Sequence, residues 1–347
     1  MGEAHRIRRS GLALLASAAV ACEPILADVV TLPASKDNTL YQSATGHLSN
    51  GAGEFIFAGM TAFPEVRRSL IAFDVAAAIP AGSTITSVTL TLNMSLTIVA
   101  GVPVSLHRAA ADWGQGASDA NGPEGMGAPA APGDATWVHT FFDTSTWTQL
   151  GGDFGPAASA TTTVDQIGPY TWGSTSEMVA DAQAWLDSPA VNFGWAIVGD
   201  ESIFPTAKRF DSSENLNPAV QPSLRVEFTP PAAGRVPDGG PAPGTPLMAE
   251  IAPGGDLTLT WGASCTPTDT DFAVYEGALG SFTSHVPRLC STAGSLIVTL
   301  TPAAGSSYYL VVPTNGPREG SYGTRSDLAE RPPSAAACLP QAIAACP

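Results

Sequence analysis

The chain has 347 residues, 13% of them charged, and a formal net charge of −16. That balance argues against nucleic acid and anionic membranes as partners, since both are themselves negative. Its length predicts two domains, its 44% hydrophobic content supplies two cores, and its 35 Gly and 30 Pro favour strands joined by turns over helices.

Residues 1–27 have the layout of a secretory signal: basic Arg6, Arg8 and Arg9, an apolar run from Gly11 to Ala21, then small residues. The run is too short to span a bilayer, so it predicts export without a membrane span. Cleavage after Ala27 removes Cys22 and leaves four cysteines, an even number suited to an oxidising compartment. The alternative cut after Ala21 would leave a lipoprotein anchored through Cys22. A lipidated cysteine usually follows a larger residue three places upstream, and here that residue is Ala19. Removal of residues 1–27 takes three Arg and two Glu with it, so the exported chain would carry 12 basic and 29 acidic residues, net −17.

Residues 28–229 read as an all-β sandwich. Short strands are predicted over 28–32 and 38–42, around turn residues Ser35, Lys36 and Asp37, followed by a loop over 46–53 and strands over 54–58 and 67–75. In 67–75, Leu70, Ala72 and Asp74 share one face, opposite Ser69, Ile71, Phe73 and Val75. Residues 85–92 alternate, with Val88, Leu90 and Leu92 on one face, and 102–108 completes the pattern. A long polar excursion over 109–169 follows. Trp113, Trp137, Phe141 and Trp147 predict that it is packed down. One helix is predicted over 177–186, capped by Ser174 or Ser176 and plugging an open end of the sandwich through Met178, Ala182, Trp185 and Leu186.

The stretch 192–228 carries a strand buried on both faces (193–198) and a half-buried one ending at Phe228. Between them lies a polar group: Asp200, Glu201, Lys208, Arg209, Asp211, Ser212, Ser213 and Glu214. An ion-pair network pinning a loop and a ligand site are the two readings of this group.

DWGQG from Asp112, GDATW from Gly133, GGDF from Gly151, MVADAQAWLDSPAVNFGW from Met178 and AKRFDSSEN from Ala207 come in one order. On these motifs, residues 28–229 closely resemble the DNRLRE-domain family, which looks related to disaggregatase-type repeats and to carbohydrate-binding modules of secreted bacterial proteins. The resemblance implies a jelly-roll sandwich and an extracellular role beside polysaccharides, and does not itself imply catalysis. One departure is that the family usually has Ser-Arg-Glu where this chain has Ser212-Ser213-Glu214, so a basic contact is missing.

Residues 230–246, PPAAGRVPDGGPAPGTP, read as a Pro/Gly-rich linker. Residues 247–326 read as a second, smaller sandwich, similar to a fibronectin type III module in its strand pattern, in Trp261 and in Tyr308-Tyr309. Residues 327–347 form a cysteine-containing tail. Of the three pairings that four cysteines permit, Cys265–Cys290 with Cys338–Cys346 is the expected one.

The histidines have no metal-ligand spacing, and no nucleophile elbow or phosphate loop appears. Asp112, Asp134, Asp153, Asp200 and Glu201 are candidate carboxylates for glycoside hydrolysis, but Asp in Gly-rich loops is more often a turn former or a calcium ligand. The expectation is therefore a non-catalytic protein that binds an extracellular polysaccharide, with Trp113, Trp137, Trp147 and Trp172 as stacking faces and Lys208, Arg209 and Glu214 as polar contacts. Asp112, Asp134 and Asp153 are the candidates for a structural calcium. The alternative is an extracellular structural or adhesive protein with no glycan ligand, and a polysaccharide-cleaving enzyme ranks behind both. Exposure discriminates between the first two: coplanar indoles on an open face favour sugar binding, buried indoles the structural reading.

Overall fold

The computed structural model describes residues 27–239 and 242–346; the segment read as an export signal, and Cys22 within it, lie outside that range. The fold is an all-β sandwich with one short helix, followed by a smaller β-sandwich.

The first sandwich is built from β1 (Asp28–Pro33), β2 (Lys36–Tyr41), β3 (Phe55–Met60), β4 (Val66–Ala72), β5 (Thr84–Thr97), β6 (Val102–Arg108), β7 (Ala160–Val164), β8 (Gly168–Gly173), β9 (Trp195–Val198), β10 (Lys208–Asp211) and β11 (Ser223–Thr229). All pairings between these strands are antiparallel. One layer runs β2-β4-β9-β6-β7. The other centres on the long strand β5. Thr91 pairs with both Thr171 and Ser223, and Met94 with both Gly168 and Phe210, so β10 and β11 lie end to end along one edge of β5 and β8 along the other. Strand β3 pairs with β10 through Phe55–Ala58, then crosses to β4 through Gly59 and Met60. Gly59 makes that switch at φ 109°, where a Cβ would sit 2.9 Å from the Thr206 carbonyl oxygen, so only glycine fits the corner.

Between the layers lies one apolar core. Val88, Leu90, Leu92 and Met94 of β5, Ile71 and Phe73, Trp195 and Ile197 all face it. Leu70, Ala72 and Ala196 point the other way, into a second cluster with Leu40, Trp113, Trp137 and Trp147. The excursion is thus folded onto the outer face of the β4–β9 layer, which is why β9 is apolar on both sides. Phe141 is half-buried, over Gly114.

The helix α2 (Ser176–Asp187) follows a helical turn α1 (Val75–Ala78) in chain order. It packs Met178, Ala182, Trp185 and Leu186 into the inter-sheet core as expected. Its cap is Thr175, whose Oγ1 accepts the Met178 N–H at 3.1 Å, while Ser174 Oγ accepts the Val88 N–H instead. Lys36 and Asp37 belong to β2 rather than to the preceding turn.

The second sandwich pairs β12 (Met248–Ile251), β13 (Leu257–Thr260) and β16 (Ile297–Leu300) in one sheet. Its other sheet holds β14 (Asp271–Ala278), β15 (Val286–Leu289) and β17 (Ser307–Thr314), with β14 central. Trp261 and Phe272 meet edge to face at 5.6 Å in its core.

One expectation for this half is corrected. The cysteines pair as Cys265–Cys346 and Cys290–Cys338, not as sequence neighbours, because the tail is extended and folded back along the sandwich. The linker buries surface. Ala233 pairs with Ile343, Gly234 N–H donates to Asp269 at 2.8 Å, and Val236 packs against the Leu259–Trp261 cluster. The two halves also touch: Arg318 pairs with Asp28 at 3.0 Å and Asn315 Nδ2 donates to the Pro231 carbonyl at 2.7 Å.

Candidate functional site

The polar group between β9 and β11 resolves into several separate anchors, not one ion-pair network. Among the described residues only Glu201 of this group takes a cation, and that cation comes from β4: Arg68 donates to both Glu201 oxygens at 2.8 Å and to the Gly151 carbonyl at 3.0 Å, with its guanidinium 5.0 Å from the Trp137 ring centre. Lys208 is fully buried and donates only to neutral oxygens, Thr97 Oγ1 at 2.6 Å and the carbonyls of Val99 and Ala100 at 2.8 and 3.1 Å. Burial pushes its pKa down, against the pull of Asp165. Asp211 accepts from Asn93 Nδ2 at 2.6 Å, and Ser212 Oγ donates to the Gly53 carbonyl at 2.7 Å. Thus Lys208, Asp211 and Ser212 pin loops.

Glu214 stands in a different arrangement. Asp37, on β2 and 1% exposed, accepts the Ser213 N–H at 2.8 Å and shares a carboxyl–carboxylate hydrogen bond with Glu214. Glu214 also accepts from Gln115 Nε2 and from Ser213 Oγ at 2.9 Å. Burial first, and the Glu214 charge second, push the Asp37 carboxyl up to about 7, so one proton is held between the two acids near neutral pH. Ser213 contacts both carboxyl groups, and it is where the resembling family carries arginine. In this chain Glu214 meets the neutral Asp37 carboxyl there and no cation among the described residues. Asp37 is enclosed, and the pair binds β2, the turn after β10 and the excursion to one another.

Arg209, beside Lys208, lines a groove. Its guanidinium lies 3.7 Å from the Phe55 ring centre, and Nε donates to Ser95 Oγ at 3.1 Å. It enters no ion pair among the described residues. Desolvation lowers its pKa, opposed by Asp211 and Glu124. With Phe57, Leu96 and Ile98 it lines a groove of ≈ 110 Å³. Thr61 and Gly125 belong both to that groove and to an adjoining one of ≈ 320 Å³, whose rim carries the exposed Phe63 and Met126.

The four candidate stacking indoles are all inside. Trp113, Trp137, Trp147 and Trp172 are at most 7% exposed. The Nε1–H groups of Trp113, Trp147 and Trp172 donate at 2.8 Å to the carbonyls of Phe193, Thr136 and Val104. These three satisfy their polar edges, and all four pack their rings inside, so none offers an open face to a sugar.

The three candidate calcium ligands are also placed apart. Asp112 pairs with Lys36 at 2.9 Å, Asp134 accepts the Ala131 N–H at 2.6 Å, and Asp153 accepts the N–H groups of Thr148 and Gln149 at 2.8 Å. Among the described residues, no three His, Cys, Asp or Glu side chains come close enough together to hold a metal ion. Asp134 and Asp153 brace their loops through backbone N–H groups, the role their Gly-rich setting permits, and Asp112 holds Lys36.

Sequence reasoning missed Asp37, Gln115 and Arg68. Lys36-Asp37 looked like a turn because two charged residues interrupt the apolar pattern, and nothing in the sequence shows that the excursion folds over them. No protein-family model matches the chain, and no curated protein matches it.

Proposed function

We propose that the protein is a non-catalytic extracellular structural or adhesive component in which both sandwiches serve as interaction modules. The observation that carries this reading is the burial of all four loop indoles, which spends on packing the aromatic surface that a sugar-binding face needs. The two disulfides support it by bracing the second sandwich and its tail, and the Arg318–Asp28 and Asn315–Pro231 contacts by tying that half to the first. The export signal read at residues 1–27 and the resemblance to the DNRLRE-domain family point to the same compartment.

Polysaccharide recognition remains as a second reading because of Arg209. A guanidinium without a carboxylate partner, beside Leu96, Ile98 and Phe57, suits an acidic sugar better than a neutral one. A glycan array of neutral and uronic polysaccharides, probed with wild type and Arg209→Ala, separates the two. Signals at background for both proteins are expected. Retention of a polysaccharide by wild type and its loss in Arg209→Ala would establish the second reading in place of the first.

A further inference from the structure

Where residues 233–238 fold back on the second sandwich they leave a cavity of ≈ 220 Å³. Pro237, Pro246, Tyr309, Tyr322 and Ser321 are among the residues that line it. Both tyrosine hydroxyls are committed elsewhere, Tyr309 to Glu276 at 2.8 Å and Tyr322 to Glu319 at 3.0 Å. What they leave for the cavity is ring surface. Ser321 Oγ likewise donates to Glu330. Asp238, also on the lining, has a partner of its own.

Arg235 lines the same space. Its carbonyl is used by the Cys265 N–H at 3.1 Å, but its Nε is closed to solvent and has no acceptor. It enters no ion pair among the described residues. The closed Nε is out of reach from the cavity, so what this half-buried guanidinium offers an incoming acceptor is its terminal nitrogens, which have no acceptor among the described residues. The natural occupant is a planar two-oxygen anion that accepts from the guanidinium fork, carrying a flat apolar body that packs on the tyrosine rings.

We propose that this cavity binds a small carboxylate with an aromatic body, anchored through Arg235. Both a free aromatic acid and the terminal carboxylate of a chain ending in an aromatic residue present this chemistry. The site is independent of the Arg209 groove and of the reading of the first sandwich.

The test uses the disulfide-bonded mature chain, isotope-labelled for NMR and titrated separately with benzoate, benzyl alcohol, acetate and a short peptide ending in phenylalanine. Benzoate is expected to shift the resonances of Tyr309, Ser321 and Tyr322 saturably. Benzyl alcohol, which lacks the charge, and acetate, which lacks the ring, are each expected to bind about tenfold more weakly or worse. The peptide reports the source: binding at least as tight as benzoate identifies a chain terminus, weaker binding a free acid. Arg235→Gln is expected to lose benzoate binding about tenfold or more with its remaining spectrum unchanged. Benzyl alcohol binding as tightly as benzoate, or no saturable benzoate shift in wild type, overturns the proposal whether or not the variant folds.

Discussion

Replacing Asp37 with asparagine is expected to stabilise the protein at about pH 8.5 and to change it little at about pH 4. The carboxyl titrates at 3.8 when free and at about 7 in the fold, so the native state holds the proton more tightly than the unfolded chain. For such a group the contribution to stability is fully present below the unfolded value, is lost as pH rises from about 4 through 7, and stays lost above that. The displacement corresponds to at most about 4 kcal/mol, a large fraction of a typical domain's stability. Asparagine keeps an oxygen for the Ser213 N–H, and its amide donates to Glu214 as the protonated acid does. Thermal melts of both proteins across this range should diverge only as pH rises. Equal melting temperatures throughout, or a variant weaker at high pH, would contradict the shared proton. Ser213→Arg supplies a complementary arm. A guanidinium beside both carboxyl groups lowers the Asp37 pKa, so the stability loss between about pH 4 and 7 should largely vanish.

Loss of the Cys290–Cys338 bridge, as the double serine variant, is expected to cost about 2–5 kcal/mol and to loosen the tail around residue 338, while Cys265–Cys346 still tethers its end. The bridge closes a separation of 48 residues, and it also fixes a buried network. Glu319 is fully buried and accepts from Tyr275 and Tyr322 hydroxyls and from the Leu339 N–H at 2.9 Å. The Cys338 N–H in turn donates to the Tyr275 hydroxyl at 2.9 Å. Freeing residue 338 removes the neighbouring Leu339 donor from a buried carboxylate, which adds a desolvation cost to the chain-entropy cost. Melting temperature and amide exchange over residues 334–346 read the two effects. A variant that melts within a degree or so of wild type with its tail still protected would show that the bridge is dispensable.

Where each side chain's partner is the inter-sheet core, the fold was legible in the sequence. The alternation of Val88, Leu90 and Leu92 and the opposed faces of Leu70 and Ile71 report burial directly, because a strand's period of two leaves each residue one environment. The helix over 177–186 was legible for the same reason, through Met178, Ala182 and Trp185. Polar partners were not. Lys36 and Asp37 meet Asp112 and Glu214, and Ala233 meets Ile343, and nothing local distinguishes such residues from solvated ones. The cysteine pairing failed similarly, since sequence nearness stands in for spatial nearness only where the tail is compact. The tryptophans show the limit for the site: an indole in a polar loop has the same sequence signature whether it faces a sugar or the β4–β9 layer.

The position of those indoles decides between the structural reading and a sugar-binding face. All seven tryptophans of the chain lie within the described residues, and each is at most 7% exposed. Acrylamide quenching of the native, oxidised protein measures this most directly. Blue-shifted emission with quenching far below that of the guanidinium-unfolded chain is the expected result. Red-shifted emission quenched nearly as strongly as in the unfolded chain would place tryptophans on the surface and return the loop indoles to the role of sugar-binding faces.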